Sequence, residues 1–125
     1  MNKINYEYFG EGQQLYFNIN RIMQLEALLK EPIGAIVRNQ DLGITTLTAM
    51  LSVGLSHYGM KNQRWYADRI QQLLDNGTEM EELQMPVVKA LAACGILGRA
   101  ARIALFPEEA TEEERKSLER NEKNV

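Results

Sequence analysis

The chain has 125 residues, 45% of them hydrophobic and 25% charged, with a net charge of −3. That length favours one domain with a core of its own, and the apolar content excludes a wholly disordered chain. Residues 1–107 carry ten acidic and ten basic side chains, whereas 108–125 carry seven acidic and four basic, so the imbalance sits in the tail.

The basic residues of the body (Lys3, Arg21, Lys30, Arg38, Lys61, Arg64, Arg69, Lys89, Arg99 and Arg102) are scattered. A nucleic-acid surface needs clustered cations, so no nucleic-acid partner is expected. The single cysteine, Cys94, forbids an intramolecular disulfide, reads as a small buried hydrophobe and suits a reducing cytoplasm. Asn2, Lys3, Asn5 and Glu7 interrupt any apolar start, so no secretory leader is expected. No apolar run approaches the roughly 20 residues that span a bilayer, so no membrane partner is expected either.

The first elements read as a hairpin over about 3–19. Ile4, Tyr6 and Tyr8 alternate with polar residues, Gly10-Glu11-Gly12 supplies a turn, and Leu15, Phe17 and Ile19 alternate again. From Asn20, a plausible N-cap, the period becomes helical through Ile22, Leu25 and Leu29. Pro32 ends that helix and opens a short one with Ile33, Ile36 and Val37. After a loop at Asp41-Leu42-Gly43, Thr45 or Thr46 caps a third helix. Its apolar stripe is Leu47, Met50, Leu51, Leu55 and Tyr58, and Gly59 ends it.

Asn62 caps the fourth helix, with Trp65, Tyr66, Ile70, Leu73 and Leu74 inward and Asn76-Gly77 as its end. Thr78 and Glu81 form a capping box for the fifth, in which Pro86 predicts a kink or a break. Val87, Val88, Leu91 and Cys94 continue its apolar face. Gly95 and Gly98 punctuate a last short helix through Ile103 and Leu105, and Phe106-Pro107 ends the body. The expectation is a mainly α fold: a compact bundle of five or six helices with an N-terminal β-hairpin in a single domain, 1–107. Residues 108–125 form a charged tail, a solvated helix or a disordered segment, because they lack an apolar stripe to dock.

Candidate chemistry is sparse. His57, the lone histidine, has no acid beside it in sequence and precedes a helix-ending glycine, where a cation is mildly favoured. One His and one Cys cannot make the usual zinc site. Asp68 and Asp75 share a helix face that is ordinarily just solvated, and Glu79, Glu81 and Glu82 suit a first helical turn. Gly10-Glu11-Gly12 lacks the lysine and the βαβ setting of a phosphate loop. No catalytic residue, cofactor or metal is therefore expected.

The distinctive cluster is Arg64-Trp65-Tyr66, made of the side chains most enriched at binding hot spots. The plainer reading is that Trp65 anchors the core. Met23, Met50, Met60, Met80 and Met85 read as core filler before they read as an adaptable surface. The candidate partner-binding residues are Arg64, Trp65, Tyr66, Tyr58 and Met50.

The run Tyr16-Phe17-Asn18-Ile19-Asn20 enters a helix containing Leu25-Glu26. Then come Thr45-Thr46-Leu47-Thr48-Ala49-Met50-Leu51-Ser52-Val53-Gly54-Leu55, Trp65-Tyr66-Ala67-Asp68, Leu74-Asp75-Asn76-Gly77 and Pro86-Val87-Val88-Lys89-Ala90-Leu91. This pattern over about 3–107 resembles the tail assembly chaperones of long-tailed phages and prophages, including related gene-transfer-agent tail proteins. The resemblance implies a helical cytoplasmic protein of the bacterial host, absent from the mature virion. It would bind the tape-measure protein, keep it soluble and help recruit tail-tube subunits; self-association stays open. It implies no catalytic residues. It also suggests a frameshifted longer form, with Glu122-Lys123-Asn124 near the slippery site. The rivals are a structural virion protein, such as a tail-tube or head–tail connector subunit, and a helical DNA-binding regulator, which the scattered charge disfavours.

Overall fold

The structure is a computed structural model that describes residues 2–40, 42–109, 111–113 and 116. It is mainly helical, with a short antiparallel hairpin at the N-terminus. Strands β1 (Lys3–Asn5) and β2 (Gln14–Tyr16) pair with Ile4 opposite Leu15. Six helices follow among the described residues up to Leu105: α1 (Ile19–Leu29), α2 (Ile33–Arg38), α3 (Ile44–Gly54), α4 (Gln63–Asp75), α5 (Met80–Ala93) and α6 (Arg99–Leu105). The expectations for the tail beyond Glu109, including Glu122-Lys123-Asn124, fall almost entirely outside the described residues.

Helix α3 is the centre of the fold. Every residue from Thr46 to Leu55 is buried, and α1, α4, α5 and β2 pack around it. Its residues are small or apolar on all sides, which is what an enclosed helix requires. Its polar side chains are satisfied locally. The Thr48 hydroxyl donates to the carbonyls of Ile44 (2.9 Å) and Thr45 (3.0 Å), and the Ser52 hydroxyl donates to the carbonyl of Lys61 (2.8 Å). Gly54 permits the closest approach: a Cβ there would lie 2.9 Å from Leu15 Cδ2 and 2.9 Å from Phe17 Cζ.

Several helix ends differ from the sequence expectations, each for a local reason. Asn18, not Asn20, caps α1, its Oδ1 accepting from the Arg21 amide at 2.9 Å. Ile19 is therefore helical and faces solvent instead of ending a strand. Helix α3 starts after Gly43 with no side-chain cap and stops at Gly54. Tyr58 then sits in a separate 3₁₀ turn, Ser56–Tyr58, which Gly59 ends at φ 106°. The capping box of α5 falls one residue later, on Glu79 and Glu82, because the Thr78 amide is spent closing α4 onto the Leu73 carbonyl at 2.9 Å. Helix α5 runs unbroken through Pro86. One turn before that proline, the Leu83 carbonyl accepts from the buried Tyr6 hydroxyl at 2.9 Å, tying the hairpin to α5.

Candidate functional site: an aromatic surface beside Trp65

Two local devices build this surface. Asn62 starts α4, its Oδ1 accepting from the Trp65 amide at 2.8 Å, which sets Trp65 on the first helical turn. The hairpin loop is folded back on itself by its own groups. The Tyr6 amide reaches the Gln13 carbonyl (2.8 Å), and the Glu7 carboxylate accepts from the Gly12 amide (2.9 Å). The Gln14 amide donates to the Tyr58 hydroxyl (2.8 Å), so the loop is also fixed to the 3₁₀ turn. This delivers Phe9 onto α4.

The rings form a continuous cluster. The Phe9 centroid lies 5.1 Å from that of Tyr66 and 6.0 Å from that of Trp65, and Trp65 meets Tyr66 edge-on at 4.9 Å. Tyr66 is buried and Trp65 is half-buried, so the first belongs to the core and the second straddles its edge. Two cations lie by the indole, with Lys61 Nζ 5.5 Å and Arg69 Cζ 4.8 Å from its centroid. Both distances suit cation–π attraction.

A shallow cleft opens on each side of Trp65. One, of about 360 Å³, is walled by Tyr8, Phe9, Arg69, Gln72, Leu73 and Asn76. The other, of about 240 Å³, is walled by Phe9, Gln13, Tyr58, Gly59, Lys61 and Tyr66. Tyr8 and Tyr58 are exposed at the rims, and Met60, beside the second cleft in the chain, is 70% exposed.

Of the five candidate binding residues, the structure brings Tyr58, Trp65 and Tyr66 to this surface and puts exposed Arg64 beside them on α4. Met50 is elsewhere: it is fully buried in α3, so it belongs to the core and is out of a partner's reach. Tyr66 supports the surface from beneath. The other methionines divide: Met80 is half-buried against the core, as filler, whereas Met23, Met60 and Met85 are exposed, which corrects the core-filler reading for those three. Tyr8, Phe9, Lys61 and Arg69 were not among the candidates. For the last two a signal exists, since Lys61, Trp65 and Arg69 stand at four-residue spacing. Phe9 reaches the site only through tertiary folding.

The titratable groups with chemical potential lie apart from this surface or are held out of use. His57 Nδ1 is 3.0 Å from Arg21 Nη1, which also donates to the carbonyls of Tyr16 (2.9 Å) and Gly54 (3.4 Å). Burial first, and Arg21 second, hold the imidazole below its usual pKa. The cation at the end of α3 is thus Arg21, and its charge disfavours a second one on His57. The Cys94 thiol donates to the Leu91 carbonyl at 3.1 Å, and burial pushes its pKa up, opposite to the shift of a reactive thiol. Among the described residues no three His, Cys, Asp or Glu side chains converge as a metal site, and no helix is long and apolar enough to cross a membrane. No family model, curated protein or solved structure matches the chain.

Proposed function

We propose that this chain is a non-catalytic protein-binding component, a tail assembly chaperone that holds the tape-measure protein in solution and helps recruit tail-tube subunits. The observation that carries protein binding is the Trp65 surface. Its rim exposes Tyr8 and Tyr58, and its centre holds a half-open tryptophan with two cations beside it. Aromatic and arginine side chains at the mouth of a cleft are the composition of binding hot spots.

The outward face of α1 supports the same reading. Ile19, Asn20, Met23, Gln24, Ala27 and Leu28 are all exposed and none is charged. A solvated helix ordinarily carries charge on that face. Such a face suits contact with an apolar client better than contact with water. The particular client comes from the sequence resemblance to tail assembly chaperones.

Coexpression with the tape-measure protein tests the reading. The long client should become soluble and copurify with this chain, and purified particles should lack the chain. Trp65→Ala should lose copurification while keeping its helical spectrum. A client that stays insoluble, or that is equally soluble without this chain, would overturn the proposal. Stoichiometric recovery of the chain in finished particles would replace it with a structural virion role.

A further inference from the structure

We infer that the two clefts beside Trp65 take an acidic segment of a partner protein, with a large apolar side chain against the indole and a carboxylate on each side of it. The inference rests on the protein-binding reading above and names the chemistry of what is bound.

Charge decides the occupant. Each cleft has one cation in its wall, Arg69 in the larger and Lys61 in the smaller, and no carboxylate lines either. Among the described residues, no carboxylate forms an ion pair with Lys61, Arg64 or Arg69. Two cations, Lys61 and Arg69, therefore sit by one indole with no carboxylate paired to them. Stacking on the ring occupies the face of a guanidinium and leaves its in-plane N–H donors pointing outward. Arg69 can therefore hold a carboxylate while it packs on Trp65, and a carboxylate bound beside an apolar surface is worth more than one in open water.

Phosphate chemistry fits less well. A nucleic-acid strand needs a basic track with successive stacking platforms. The chain has one tryptophan, and its remaining cations are scattered. The pattern of one indole with a cation in the wall of the cleft on either side matches one apolar side chain flanked by two acids. In a partner helix, acids four residues before and after a central leucine share its face.

Because Trp65 is the only tryptophan, its emission reports the site directly. The full chain is titrated with three synthetic helical peptides that share a central Leu and differ at the positions four residues before and after it, bearing Glu, Gln or Lys. The Glu peptide should shift the emission and bind about tenfold tighter than the Gln peptide, an advantage that added salt should erode. The Lys peptide should not bind. The double variant Lys61→Gln, Arg69→Gln changes exposed side chains and should keep its circular-dichroism melt. It should bind the Glu peptide no better than the Gln peptide, while Arg69→Glu should gain affinity for the Lys peptide.

Equal affinity for Glu and Gln peptides would overturn the acidic assignment and leave protein binding standing. No binding of any peptide would also overturn the assignment, and copurification of the client then decides separately whether the broader reading survives. Tighter binding of a single-stranded oligonucleotide would give the clefts to nucleic acid. A shift in emission on deleting residues 108–125, with no peptide present, would give them to the chain's own acidic tail.

Discussion

Trp65 sits where the core meets solvent, and its two roles separate by measurement. Its ring packs on Tyr66 and Phe9 and also meets Lys61 and Arg69. Full burial of a tryptophan makes truncation to Ala cost about 3–5 kcal/mol; a half-buried one should cost about 2 kcal/mol in a urea melt. Trp65→Phe should recover most of that stability while losing the wide indole face that a partner would use. At His57 the sign is fixed by the lowered pKa. Folding favours the neutral ring, so its contribution is present above the ordinary histidine value and is lost as pH falls through the lower folded one. Proton NMR should find His57 titrating below pH 6.5, and Arg21→Ala should move it up toward that value. A His57 pKa unmoved by Arg21→Ala would contradict the guanidinium's part in the shift.

Helix boundaries show which physics the sequence carries openly. Asn62 and Asn76-Gly77 are legible because a cap is a contact between residues two to five apart in the chain. The end of α3 is not legible in this way. The stripe through Leu55 and Tyr58 reads as one continuous helix, yet α3 stops at Gly54, where Leu15 and Phe17 press on its backbone from a different element. Gly54→Ala should gain helix propensity of about 1 kcal/mol but overpack two buried side chains at about 1–3 kcal/mol. The net expectation is a loss of about 1 kcal/mol in chemical denaturation; a more stable variant would show that Leu15 and Phe17 yield easily. The aromatic site is half legible for the same reason. Lys61, Trp65 and Arg69 share a spacing, but Phe9 arrives through a loop folded by Glu7 and Gly12, and no periodicity announces it. Met50 misled because a methionine fills a core and lines a surface with equal ease, and only its place in the enclosed helix decides between them.

At the scale of the whole molecule, the helical class and the hairpin follow from periodicity, since α1, α3, α4 and α5 each present apolar residues at helical spacing to one core. The expectation of a charged tail rests on composition alone. With Leu118 and Val125 as nearly its only sizeable apolar side chains, it has little surface whose burial, at about 25 cal/mol per Å², could stabilise the body. Deleting residues 108–125 should leave the melting temperature nearly unchanged and client binding intact, while the complexes become less soluble as the tail's charge is lost. Unfolding on truncation would show that the tail is docked. The central claim, that the chain works by holding another protein on the Trp65 surface, is tested most directly by mapping amide chemical shifts while the client segment is added. The account places the largest perturbations at Phe9, Gly59, Lys61, Trp65 and Arg69, with the indole N–H shifting in step. Perturbations confined to α2 and α6, or none at a concentration that saturates binding, would contradict it.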